Sequence, residues 1–416
     1  MKINALLTVF IALCSFCCHD KVVKQFEMPV VKVENKNDTI PEMNLLDSEY
    51  ELKERLTDSV LEIMMPSVPT MNLAKLNRPF YKYMRGIFNG DSAILNLNFA
   101  HLTYDGHWAF MGTIFIPTKV RAYEFWGIKS DTVKFIELYV KDRAEANFDA
   151  LFTIMGHFDK NQVFKGLTLD NRNLKRDSFE FKESNTEGAY FDMTECYVLE
   201  SYKVPIENNR KFNLVYAKNL PIPKSNSNKR VYSYLKKHFK ANTHCSSFCS
   251  SFMAKGSKII KKVLEDTLED DFSQRDTDYY SLISRNSIYW NEDDLVVISK
   301  DDWNKTTLGD YGESEVNFDT YDIKRKRKLT EKDVFNAKYD EEFFAKNILN
   351  YFHWEYTRDE KGKVELGIRM SNGFTSKGFY MVGKGNPGWY VSPVFIPYKV
   401  VEPFLREDFK KEYWKQ

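Results

Sequence analysis

From about Tyr83 to Glu183 apolar and polar residues alternate along the chain. In HWAFMGTIFI, Trp108, Phe110, Ile114 and Ile116 fall on one side, the two-residue period of a strand with one buried face. AILNLNF (Ala93–Phe99), AYEFWGI (Ala122–Ile128), VKFIELYV (Val133–Val140), FDALFTIMG (Phe148–Gly156) and FKGLTLD (Phe164–Asp170) keep the same period. Turn formers separate them at Asn89-Gly90-Asp91, Asp105-Gly106 and Lys129-Ser130-Asp131. Successive strands with short links predict an antiparallel β-meander, a curled sheet or partly closed barrel. Gly112, Gly127 and Gly166 inside strands predict bends or bulges there.

Beyond about Ala189 the period is mixed. YFDMTECYVLESYKV and KFNLVYAKNL read as strands, and SIYWNEDDLVVIS as a hairpin with Asn291 to Asp294 as its turn. Ser227–Asn242 aligns Val231, Tyr234, Leu235 and Phe239 on a helical face, and a second helix is expected from about Cys245 to Leu268. LTEKDVF opens a helix at Thr330, and DEEFFAKNILNYFHW turns Phe343, Phe344, Ile348, Leu349 and Phe352 inward. Three final strands, KVELGIRM, KGFYMV and GWYVSPVFI, complete an α+β domain with an antiparallel sheet and helices. The expected fold class is therefore α+β with two domains, a β-meander first and an α+β unit second.

The first residues add a compartment. Lys2 followed by the apolar run Ile3–Phe16 has the order and length of a secretory leader and is short for a membrane span. Cys14, Cys17 and Cys18 close it, as in a bacterial lipoprotein signal, with Cys18 the expected lipidation site. His19 to about Met43 reads as a tether, and Leu52, Leu56, Val60 and Met64 as an amphipathic helix. The chain divides into residues 1–18 (signal), 19–78 (tether and helix), 79–187 (meander) and 188–416 (α+β domain). A net charge of +1 argues against a general nucleic-acid binder. Cys196, Cys245 and Cys249 are odd in number, so at least one stays unpaired. THCSSFC with His244 lacks the second half of a zinc motif.

Two motifs carry a resemblance. Tyr321, Asp322, Leu329, Thr330, Asp333, Val334 and Phe335 are similar to the strand, basic turn and helix start of the RsiV/PdaC-type extracytoplasmic domain. Ile396, Pro397, Tyr398, Pro403, Phe404 and Leu405 resemble its closing motif. The likeness covers about residues 190–406. It implies that Pro397 ends the last strand and that Pro403 lies in a short closing turn or helix. Leu308-Gly309-Asp310-Tyr311 departs from the family's Gly-Gly-Ala-His element, and Lys326 stands where a turn glycine is common. The family's relatives imply a module at the cell wall, one binding lysozyme and another preceding a peptidoglycan deacetylase domain. No Thr-Phe-Asp-Asp or His-x-x-x-His of such a deacetylase occurs in this chain.

Residues that could carry chemistry are few. If Asp105-Gly106 is a two-residue turn, His101 pairs with Phe110 and points to the opposite sheet face from His107, so the two do not share a metal. Lys324–Lys328 (KRKRK) is a basic run that reads first as a solvated turn. Asp293 and Asp294 in one acidic loop are candidate contacts for a basic protein ligand, with Leu268-Glu269-Asp270-Asp271 a second such loop. Trp389 and Tyr390 in GKGNPGWY are candidate sugar-stacking residues, with core packing the plainer alternative. No catalytic, cofactor or metal residue is assigned, and no GxSxG, P-loop or HExxH is found. The expected function is non-catalytic binding by a lipid-anchored envelope protein, with a lysozyme-like muramidase or wall glycan as ligand. The alternatives are an envelope hydrolase acting on wall glycan and a structural subunit of a surface assembly.

Overall fold

The alternating segment closes on itself. The computed structural model describes residues 78–101, 107–129, 135–141, 150–184, 191–203, 211–223, 233, 277–306, 313–336, 357–358, 361, 364–365, 369–384 and 393–415. Eight strands follow one another: β1 (Phe80–Phe88), β2 (Asp91–His101), β3 (Trp108–Ile116), β4 (Arg121–Ile128), β5 (Ile136–Lys141), β6 (Phe152–Phe158), β7 (Phe164–Asp170) and β8 (Arg176–Glu183). Each pairs antiparallel with the next, and β8 returns to β1 between Met84↔Glu183 and Phe88↔Phe179. The meander is thus a closed barrel in which each of the eight strands has a neighbour on both sides. Its lumen is filled by Met84, Phe88, Leu95, Leu97, Phe99, Phe110, Ile114, Leu138, Phe164 and Phe181, all buried.

Two expectations change in detail. The registers run through Gly112, Gly127 and Gly166 without a shift. These glycines mark close backbone approach instead of bulges: a Cβ on Gly112 would lie 1.7 Å from the Asn96 carbonyl oxygen. His101 pairs with Trp108, not Phe110, because the link between β2 and β3 is longer than two residues.

The second half is built on a six-stranded sheet. In chain order its strands are β9 (Phe191–Lys203), β10 (Lys211–Pro223), β11 (Thr277–Glu292), β12 (Leu295–Thr306), β13 (Glu313–Asp322) and β14 (Arg327–Leu329), and they lie side by side in that same order. β10 and β11 are parallel, and the other pairs are antiparallel. So the sheet is mixed where an antiparallel one was expected. A two-stranded ribbon, β15 (Thr357–Arg358) and β16 (Val364–Glu365), and a three-stranded sheet, β17 (Arg369–Phe374), β18 (Gly378–Lys384) and β19 (Val394–Pro397), follow. KVELGIRM is divided between β16 and β17. The hairpin turn narrows to Asp293-Asp294, both with positive φ (55° and 62°), since Glu292 already pairs with Leu295. Positive φ at both turn residues suits the right-handed twist of the strands, and Asp tolerates it.

The described helices are short: α1 (Glu331–Val334), α2 (Tyr398–Val401) and α3 (Glu407–Tyr413). The longer helices expected over 227–242, 245–268 and 340–354 lie outside the described residues, apart from helical Ser233. The described structure is therefore mostly β. At Thr330 the backbone N–H and the hydroxyl both donate to Asp333 Oδ2 at 2.8 Å, starting α1. One turn later Phe335 bridges to Leu405. Pro397 ends β19, and Pro403 sits in a 3-10 turn, Glu402–Phe404. Lys326 has φ 58°, which explains the preference for glycine at that place.

The barrel and the sheets share a core. Tyr81, Tyr83, Ile94 and Phe115 on the barrel's outer wall pack with Trp290, Val297, Tyr380 and Ile396. Residues 71–416 accordingly form one compact unit.

Candidate functional site

Where the barrel wall meets the second sheet, polar groups are buried. A bulge between Ile288 and Trp290 interrupts the β11–β12 register and releases peptide groups that need partners. The barrel supplies them. Ile288 N–H donates to Asn98 Oδ1 (2.9 Å), and Asn98 Nδ2 donates to the Ile288 carbonyl (3.1 Å). Asn96 Nδ2 (3.0 Å) and Thr113 Oγ1 (2.8 Å) donate to the Tyr289 carbonyl. These outward-facing residues of β2 and β3 are fully buried.

Charged groups join this seam. Glu124, on the outer face of β4, hydrogen-bonds the buried Tyr289 hydroxyl. Burial, reinforced by the Glu124 and Asp301 charges, raises the Tyr289 pKa far above the ordinary phenol value. Arg285 and Asp301 pair across β11–β12, with Nε 3.3 Å from Oδ2. Asp301 Oδ1 is buried with no hydrogen-bond partner among the described residues. Burial pushes the Asp301 carboxyl above the usual range, and Arg285 offsets part of that rise. A carboxyl of this kind can hold a proton or bind a donor.

Two residues beyond Glu124 on the same face stands Trp126, 40% exposed. It is the one aromatic among the large apolar residues exposed in the described structure. Its cross-strand partner on β5 is Tyr139, with ring centroids 5.4 Å apart and planes at 36°. Ile128, 44% exposed, extends the same row. Glu137 and Lys141 flank Tyr139 on its own face, and Lys141 lies opposite Glu124. Rings and charges thus sit side by side on a rigid wall. Sequence reasoning gave these residues no role. The signal was present: alternation in AYEFWGI puts Trp126 on the side of Glu124, opposite Tyr123 and Phe125.

The expected site residues have varied placements. Cys18, Trp389 and Tyr390 lie outside the described residues, as do His244, Cys245 and Cys249. Asp293 is taken up inside the fold, accepting from Ser376 Oγ and Lys415 Nζ, both at 2.5 Å. Asp294 beside it is exposed. In the basic turn Arg325 reaches Asp322 Oδ2 (3.1 Å) and the Tyr413 hydroxyl (3.0 Å), Arg327 reaches Asp333 (2.7 Å), and Lys328 reaches Asp319 (3.0 Å). These cations hold the C-terminal helix and strand ends. His101 and His107 are not brought together. His101 Nδ1 is 2.7 Å from Glu195 Oε1, and its ring lies between Trp108 and Tyr197, each at 3.8 Å. Among the described residues no group of three or more His, Cys, Asp or Glu is arranged to hold a metal.

No family model matches the chain, and no curated protein does. Among solved structures, a DUF3298 family member from Bacteroides fragilis is similar at 13% identity and a TM-score of 0.36, over 55% of this chain and 99% of that one. A DUF3298 family protein from Pseudomonas aeruginosa is similar at 10% identity and a TM-score of 0.28, over 52% of this chain and 95% of that one. Likeness at these values transfers no chemistry. The two structural neighbours share one bacterial domain family.

Proposed function

We propose that this chain is an extracytoplasmic protein, anchored through a lipidated Cys18, that binds wall glycan with its surface and without catalysis. The leader-like first residues and the RsiV/PdaC-type motifs supply the compartment. The observation that carries the reading is Trp126, an exposed ring fixed on the outer wall of a barrel whose lumen is filled. A filled lumen leaves recognition to the outside. Glycan is favoured over a basic muramidase because Asp293, one of the two expected acidic contacts, already meets Lys415 and leaves only Asp294 exposed. Titration calorimetry of the full chain with soluble peptidoglycan fragments, and separately with lysozyme, tests this. Saturable heat with the fragments is expected. Heat with lysozyme alone would move the ligand to the muramidase, and silence with both would remove the reading.

A second reading, a hydrolase of wall glycan, has one observation in its favour. The raised, partly buried carboxyl of Asp301 beside Arg285 has the character of a general acid. Release of soluble fragments from purified wall by the wild type and not by Asp301→Asn would establish it.

A further inference from the structure

We infer that Trp126, Tyr139 and Ile128 form a shelf that takes one face of a sugar ring, while Glu137 and Lys141 along its edge meet the hydroxyls. The inference rests on the glycan reading above and gives it a site. Its first support is area. At 40% exposure Trp126 shows on the order of 100 Å², and with Ile128 the open apolar surface is about 200 Å². A stable protein interface needs about 800 Å² from each partner, so a protein cannot gain enough here from apolar burial. A single ring, with its apolar C–H face and polar rim, matches the shelf in size.

Charge narrows the ligand further. The edge residues are one carboxylate and one ammonium, Glu137 and Lys141, on either side of Tyr139. A rim with one charge of each sign favours neither polyanions nor polycations, which suits a neutral polyhydroxyl ligand. A single ammonium is also too little for an anionic lipid surface, which a cluster of basic residues would be needed to hold. Rigidity is the third support. The Trp126 backbone is paired with Met111 on one side and Tyr139 on the other. Little conformational freedom is left to lose when a ligand stacks there. Isolated exposed apolar residues are ordinary. Here two exposed side chains and a ring neighbour occupy adjoining positions on one wall.

The test is calorimetric titration of the full chain with chitotetraose and with soluble, uncrosslinked glycan strands. Trp126→Ala is expected to weaken binding about tenfold or more, while Trp126→Phe keeps part of it. Leu174→Ala, exposed on a different part of the barrel, is expected to bind as the wild type does. Trp126→Gln is measured alongside, so that a polar replacement remains if the alanine variant does not fold. Wild-type binding that survives both Trp126→Ala and Trp126→Gln would overturn the shelf and leave the glycan reading standing. Absence of wild-type binding to either probe would end both.

Discussion

The barrel lumen and the barrel-to-sheet seam are built from the same strands and held by opposite means. In the lumen, side chains meet only side chains: Phe99 stacks with Phe80 at 5.0 Å and Phe110 at 4.5 Å, and Phe158 meets Phe164 at 5.0 Å. In the seam, Asn96, Asn98 and Thr113 reach across to the backbone of Ile288 and Tyr289. A lumen residue contributes through the volume it fills, so a similar apolar shape can replace it. A seam residue contributes through donors and acceptors in fixed places, so shape alone does not suffice.

The largest expected effect is in the lumen. Phe99→Ala should destabilise by about 3–5 kcal/mol through the cavity it leaves, read by denaturant unfolding. Phe99→Leu should cost much less. Asn98→Ala comes next, at about 2–4 kcal/mol, because it strands both the N–H and the carbonyl of Ile288. Asn98→Leu should be no milder. If it were as mild as Phe99→Leu, the seam would be ordinary packing and the contrast would fail.

A smaller effect separates the walls by pH. His157, on the outer face of β6, is buried, and neither ring nitrogen has a hydrogen-bond partner among the described residues. Burial, then the Lys165 ammonium across the strand pair, lowers its pKa. The unfolded chain, with an ordinary value of about 6.5, therefore takes up a proton before the folded one. Stability present above that value is lost as pH falls through it toward the lowered folded value. Melting temperatures between pH 7 and 5 should fall more for the wild type than for His157→Phe. An equal fall in both would place the titration elsewhere. The smallest effect is Trp126→Ala, whose stability should stay within about 0.5 kcal/mol of wild type because the residue faces water.

The strands were legible because alternation is a local property, and Phe110, Ile114 and Phe125 all turned inward as their spacing required. Closure was not, since it depends on β1 meeting β8 almost a hundred residues later, and the polar RDSFEFKE hides its two inward rings, Phe179 and Phe181. Asn96 and Asn98 read as solvent-side positions of a strand. Nothing in a two-residue period tells whether an outer face meets water or a second sheet. The motif residues Tyr321, Leu329, Val334 and Phe335 were found by resemblance and are core. They identify how the chain folds, not what it binds. Trp126 was legible in principle, as a large ring on the polar side of its strand.

The central claim is that the outer wall of the barrel, at Trp126, receives the ligand. Nitrogen-15 labelling of the tryptophans, with the Trp126 indole signal identified through Trp126→Phe, tests it in the full chain as soluble glycan strands are added. The account predicts that the Trp126 signal moves with saturation while that of buried Trp290 stays in place. Saturable binding that leaves Trp126 still would contradict it.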